Sequence, residues 1–379
     1  MRPAGRIEQA LAAHRRALEL VEGAHGPKHP ALAVPLNNYA LAVKAQGDYP
    51  RALELLERSL EIRRTAGANP GGLAVSVYNV ARTYLSLGQT REALPLVREA
   101  RSLFEQEYEG AHPQLVRMAH MEAQALIEIG ELEAAEERAR EAVRLAEATL
   151  DAEQALSVKA RTVLGTALGR LGRTDQAREA LETALAHSRI LEDASGWSSG
   201  AMALVELIEL ELGERRYAQA VEYGKGLVRA CRGRHGPDRM WTGWALGHLG
   251  RAYRAQGQAG SAIATLERAL RILRGVFGGN QREIGGLQVR LATAHWEAGD
   301  PQAALKALGD AAERYDRLIA GQVALGSRRG ALERSRFDLS VTGLLVSGAV
   351  HAGREAQGEW IRGALEHLLR RKALVQRSL

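Results

Sequence analysis

An alanine recurs along this chain at separations of 41 to 43 residues, each one shortly after a glycine, and that recurrence leaves few folds open. The glycines are Gly5, Gly47, Gly88, Gly130, Gly172, Gly213, Gly257 and Gly299, and the matching alanines are Ala10, Ala52, Ala93, Ala135, Ala177, Ala220, Ala262 and Ala304. Each period reads as an apolar-periodic stretch of about 15 residues, a Gly-centred turn, a second amphipathic stretch of about 17 and a polar loop. These are helix pairs. The glycine provides the positive φ that ends the first helix, and the small alanine lets the second helix come close to the first. Leu36, Tyr39, Ala40 and Val43 thus precede Gly47, while Ala52, Leu56 and Leu60 follow it on one face. The fifth pair is the least regular, because Gly213-Glu-Arg-Arg-Tyr217 is longer than its siblings and Glu206 and Glu209 interrupt the apolar face. A kink or altered packing is expected there. The first period has only its second helix, Ile7 to Val21.

Composition agrees with helices. Aromatics are 4% of the 379 residues, which disfavours an all-β fold, and 46% apolar with 25% charged residues disfavours disorder. One cysteine, Cys231, rules out an intramolecular disulfide and fits a reducing, cytoplasmic location. No secretory leader is read at the N-terminus, and the apolar run Val341–Val350 is about half of a bilayer span. Most of the net charge of +6 sits in the tail, where residues 320–379 hold ten Lys/Arg against five Asp/Glu, leaving 41 against 40 before it. Only six basic residues of 51 are lysines, and this arginine bias does not by itself imply nucleic-acid binding.

Leu249-Gly250, Tyr253, Gly257, Ala262 and Ala269 match, position by position, the consensus of the tetratricopeptide repeat (TPR), which the chain resembles over residues 1 to about 318. The period exceeds the usual 34 residues by about eight, roughly two helical turns, and so resembles the longer kinesin-light-chain type. The connectors Gly26-Pro27-Lys28-His29-Pro30, Gly110-Ala111-His112-Pro113 and His235-Gly236-Pro237-Asp238 agree with that subtype. The resemblance implies an all-α, right-handed α-solenoid over residues 1–319, about seven and a half repeats. The pattern of Ala331 to about His351 and of Gln357 to Ser378 predicts a C-terminal helical hairpin within residues 320–379.

This tail also resembles the segment that joins TPR arrays to the caspase-like CHAT peptidase domain of bacterial TPR-CHAT proteins. Leu325-Gly326-Ser327, Phe337-Asp338-Leu339-Ser340 and Leu368-Leu369-Arg370-Arg371-Lys372-Ala373-Leu374-Val375 carry that likeness, with Ala373 where glycine is common. It implies a regulatory half whose cysteine peptidase would begin beyond Leu379, with a role in bacterial defence or cell death.

The chain itself is expected to be no enzyme. Cys231 and His235 stand at i, i+4 without a third orienting group, the other histidines are scattered, and no phosphate-loop, zinc-protease or nucleophile-elbow motif is present. No metal or cofactor is expected. His29 and His112 belong to the connectors, where turn and capping roles suffice. The TPR likeness implies a concave groove built by the first helices, lined by Asn37, Asn38, Tyr78, Asn79, Arg82, His120, Gln124, Thr166, Trp244, His248, Arg251, Arg254, Arg290 and Trp296. Asn can bond a peptide backbone, Arg can fork onto carboxylates, and Trp or Tyr can anchor. A protein or peptide is the expected partner, with the downstream peptidase a second partner in cis and no membrane. Arg328, Arg329, Arg370, Arg371 and Lys372 form a basic tail that would meet an interdomain surface, an acidic partner or RNA. Two other readings stay open. One is a free-standing adaptor or the sensor region of a bacterial NB-ARC-type signalling ATPase; the other is an RNA or ribonucleoprotein sensor.

Overall fold

The computed structural model describes residues 3–151, 154–190, 197–277 and 282–311, and every regular element among them is helical. In chain order these are α1 (Pro3–His25), α2 (Ala33–Ala45), α3 (Tyr49–Thr65), α4 (Pro70–Ser86), α5 (Thr90–Glu107), α6 (Pro113–Ile129) and α7 (Leu132–Thr149). They continue with α8 (Ala155–Arg170), α9 (Thr174–Ile190), α10 (Trp197–Gly213), α11 (Tyr217–His235), α12 (Met240–Ala255), α13 (Ala259–Phe277) and α14 (Arg282–Glu297). Residues 301–311 are helical too. The tail expected to form a hairpin lies outside the described residues.

The chain divides into two compact units, Met1–Glu206 and Leu207–Leu379, with the boundary inside α10. In the first unit α2 packs on α3, α4 on α5, α6 on α7 and α8 on α9, and each pair then meets the next. In the second, α11 packs on α12, α12 on α13 and α13 on α14. Local chemistry starts these helices where the connectors predict. Asp48 accepts from the Arg51 amide at 3.1 Å to cap α3, Asn69 from the Gly72 amide at 3.0 Å to cap α4, and His112 Nδ1 from the Gln114 amide at 3.2 Å to cap α6. His29 does the same for the short turn before α2, accepting from the Ala31 amide at 3.2 Å.

The repeated alanine is where each pair closes. Ala52, Ala93, Ala135 and Ala177 in the first unit and Ala220, Ala262 and Ala304 in the second are fully buried. Ala10 is exposed on α1, which packs against α2 and the turn before it. A second small residue lies opposite, on the first helix. A β-carbon on Gly165 would stand 2.5 Å from Leu181 Cγ and 3.1 Å from the Ala177 carbonyl oxygen, and one on Gly250 would stand 2.7 Å from Leu266 Cγ. The register places Ala40, Ala81, Ala123 and Ala292 at the same position, facing Leu56, Val97, Ala139 and Leu308. In the irregular fifth pair the register puts Ile208, fully buried, and Gly224 at these positions, and a β-carbon on Gly224 would stand 3.0 Å from Leu249 Cδ1 of α12.

The turns follow the expected rule with two corrections. Gly130 caps α6 at φ 87°, the left-handed conformation that L side chains avoid. Gly213 does not play this part, because α10 runs on through it and the left-handed position falls to Arg215, φ 58°. Gly5 is no turn residue either, since it lies inside α1. A non-glycine residue in that region costs about 1–2 kcal/mol. Arg215→Gly is therefore expected to stabilise the second unit by about 1 kcal/mol, read as a higher denaturation midpoint in urea. A lower midpoint would show that the Arg215 side chain contributes more than its backbone costs.

Candidate functional site

The first helices of the pairs are α2, α4, α6, α8, α10, α12 and α14, and their side chains meet across the 42-residue register. On α2 and α4 the Asn79 amide nitrogen donates to Asn37 Oδ1 at 2.8 Å. Asn79 is buried while Asn37 and Asn38 are half-buried. Lys44 Nζ donates to the Arg82 carbonyl and to Thr83 Oγ1, both at 3.2 Å, and burial together with the Arg82 charge lowers its pKa to about 8. The Tyr78 ring is covered by two guanidinium groups, Arg82 at 5.3 Å and Arg117 of α6 at 5.8 Å. The groove candidates on α2 and α4 thus bond largely to one another.

On α6, α8 and α10 the surface opens. A cavity of about 440 Å³ is lined by His120, Gln124, Ile127 and Glu128 from α6, by Lys159, Thr162, Val163, Thr166 and Arg170 from α8, and by Met202 and Glu206 from α10. Three predicted residues, His120, Gln124 and Thr166, come together here. Burial, with the Lys159 charge beside it, pushes His120 down to about 4, so its ring is neutral at physiological pH. Gln124 is exposed into the opening, and Met202 leaves 46% of its surface uncovered. Sequence reading missed Lys159, Arg170 and Met202. The register offered a signal for two of them, because Lys159 stands 42 residues after Arg117 and Met202 stands 43 after Lys159.

The second unit gathers the remaining candidates on α12 and α14. Trp241 and Trp244 meet edge to face at 6.1 Å, and Trp244 meets His248 at 4.7 Å. Trp241 is 41% exposed. Arg251 bonds Glu209 of α10, and Arg254 Nη1 donates to Glu297 of α14 at 2.6 Å. Arg290 of α14 reaches only the Gly247 carbonyl, at 3.3 Å. Burial and the neighbouring Arg251 and Arg254 charges lower its pKa. His248 Nδ1 lies 3.9 Å from the Glu209 carboxylate, yet burial and the Arg290 and Arg251 charges push its pKa down to about 3. Desolvation wins because Arg251 already occupies that carboxylate. Trp296 is half-buried.

Elsewhere arginine has structural work. Glu122, buried on α6, accepts from Arg98 Nε at 2.8 Å and Arg101 Nη1 at 3.2 Å, and Glu136 accepts from Arg140 Nη2 at 3.0 Å and Arg173 at 2.5 Å. Buried carboxylates held this way tie one pair to the next. Cys231 is buried and its thiol is pushed up to about 12, which leaves no thiolate for nucleophilic attack. The His235 side chain and the basic tail, Arg328, Arg329, Arg370, Arg371 and Lys372, lie outside the described residues. Among the described residues no three His, Cys, Asp or Glu side chains are grouped to hold a metal, and no helix is long and apolar enough to cross a membrane.

The tetratricopeptide-repeat family model matches residues 1–65, 73–148 and 201–275, more than half of the chain, and a second model with the same description matches 162–235. A clustered mitochondria protein homolog of Culex quinquefasciatus is 30% identical over 126 residues, covering 32% of this chain. The chain spans 9% of that relative's length. Among solved structures, aspartyl phosphate phosphatase F from Bacillus subtilis superposes with a TM-score of 0.58 at 13% identity, covering 78% of this chain and 73% of that one. A kinesin light chain of Podosopora anserina with nearly identical TPR-like repeats gives a TM-score of 0.47 at 23% identity, over 55% of this chain and 97% of that one.

Proposed function

This chain belongs to the tetratricopeptide-repeat family, and from that premise we propose that it is a protein-interaction and regulatory scaffold whose first-helix faces bind a partner polypeptide. The observation that carries the reading is the open cavity on α6, α8 and α10. It combines an apolar wall of Ile127, Val163 and Met202 with polar groups at Gln124, Thr166 and Lys159, the mixture that takes alternating side chains and backbone of an extended segment. On this reading the scaffold acts by holding a partner and relaying its binding.

The finer proposal is that the relay ends on a caspase-like cysteine peptidase, as in TPR-CHAT proteins, in a defence or cell-death setting. What supports it is the tail likeness, above all Leu368-Leu369-Arg370-Arg371-Lys372, together with the repeat type. Partner binding would favour one curvature of the array and shift the tail. The test takes the full-length gene product and a partner recovered with it from its own cells. Met202→Asp, at an exposed position, is expected to abolish partner recovery and any partner-dependent peptide cleavage. Undiminished recovery would remove the cavity from the binding face. Cleavage that persists without the partner would remove the relay.

A further inference from the structure

Of the lysines among the described residues, Lys28, Lys159 and Lys306 are exposed and Lys225 is paired with Glu222 at 2.8 Å. Lys44, near the end of α2, is held differently. Its half-buried Nζ donates to two acceptors on α4, the Arg82 carbonyl and Thr83 Oγ1, each at 3.2 Å, and no carboxylate pairs with it among the described residues. The Thr83 hydroxyl gives its own proton to the Asn79 carbonyl at 2.8 Å, so toward Lys44 it only accepts. The Tyr49 ring lies nearby, its centroid 5.8 Å from Nζ. The Arg82 guanidinium is close enough that its charge, added to the larger effect of burial, lowers the lysine pKa to about 8.

Two acceptors match the neutral amine better than the ammonium. An ammonium brings three N–H donors, whereas a neutral amine brings two and a lone pair, and with both N–H groups turned to Arg82 and Thr83 the lone pair is left facing outward. A nucleophilic amine thus stands beside a second cation. The Arg82 guanidinium rests on the Tyr78 ring at 5.3 Å, has no carboxylate partner among the described residues, and is placed to pair with an anion formed on Lys44. Half burial favours a small, uncharged electrophile. We propose that Lys44 is a carbamate-forming site, at which carbon dioxide adds reversibly to the Nζ amine and the product is paired with the Arg82 guanidinium. The Nζ lone pair forms the new N–C bond, one C=O electron pair of carbon dioxide moves onto oxygen, and the amine gives one proton to solvent, so nothing is oxidised or reduced. The carbamate nitrogen keeps one N–H for Thr83 or for the Arg82 carbonyl. A cation at the contact of α2 with α4 becomes an anion, and Arg82 is drawn toward it from Tyr78, which couples dissolved carbon dioxide to the first-helix face. The inference does not depend on the cavity of α6, α8 and α10.

The test incubates the full chain with isotope-labelled bicarbonate at about pH 7 and about pH 8.5, fixes any carbamate as its ethyl ester with triethyloxonium tetrafluoroborate, and locates the label by peptide mass spectrometry. The Lys44 ester is expected at about fivefold or more the occupancy of any ester on Lys28 or Lys159, and it should rise with pH as the amine loses its proton. Lys44→Arg, which keeps a cation at the contact, should remove it with the helical signal unchanged. Arg82→Gln should lower the occupancy about threefold, and the deficit should persist at about pH 9, where the amine is largely neutral in both proteins, because what is missing is the partner of the anion. No ester at Lys44, or equal occupancy on the exposed lysines, would overturn the site. A deficit in Arg82→Gln that vanishes at the higher pH would overturn the pairing with Arg82. Selective acetylation of Lys44 by acetyl phosphate, with no ester formed from bicarbonate, would assign the amine to acyl donors in place of carbon dioxide.

Discussion

Gly165→Val lowers the stability of the first unit by about 2–3 kcal/mol, the expected cost of forcing added carbon into a closed core contact. The new β-carbon alone would stand 2.5 Å from Leu181 Cγ and 3.1 Å from the Ala177 carbonyl oxygen, and the backbone atom cannot swing aside. Urea unfolding followed by circular dichroism measures the loss. Leu181→Ala in the same molecule is expected to recover more than 1 kcal/mol of it, because Leu181 Cγ and Cδ2, 2.5 and 2.8 Å from the new β-carbon, are the atoms it removes. Strict additivity of the two substitutions would show that the helices meet elsewhere.

Acidification is the second large effect. A histidine whose folded pKa is depressed binds its proton more readily in the unfolded chain, so its contribution is intact above the unfolded value of about 6.5 and falls as the pH drops toward the folded value. For His120 the window runs from 6.5 down to about 4, and for His248 down to about 3. Each group is expected to remove stability on the order of 2 kcal/mol across its window. The measurement compares denaturation midpoints at pH 7.5 and 4.5 for the unsubstituted chain and for His120→Gln with His248→Gln. The doubly substituted chain should lose less on acidification. An equal loss in both proteins would place the two rings in contact with water.

The features that were plain in the sequence are those made within one period. Gly130, Gly257 and their siblings announce the turns, His29 and His112 of the connectors announce the capping positions, and the alanines announce the close contacts, because each of these acts on residues a few positions away. The fifth pair was recognised as irregular from the length of its turn, but the placement of the left-handed residue on Arg215 was not, since one extra residue leaves the end of α10 undecided. Tyr78, Trp244 and the arginines were identified as facing residues without any sign of which were already engaged. Lys159 and Met202 were overlooked although they share the register of Arg117, because a lysine or methionine taken singly on a helix has no pattern apart from that register.

By itself, then, the sequence determined the period and the all-helical pairing, which follow from spacing along the chain, while the first-helix side chains were singled out by the tetratricopeptide likeness. Only the tertiary structure decided which of those side chains satisfy one another and which are left open. Asn37 and Asn79 are 42 residues apart, as are Glu209 and Arg251, and their bonds exist only once neighbouring first helices lie side by side. The open cavity on α6, α8 and α10 and the depressed histidines have the same origin. Desolvation and charge proximity are properties of assembled helices, and no single repeat carries them.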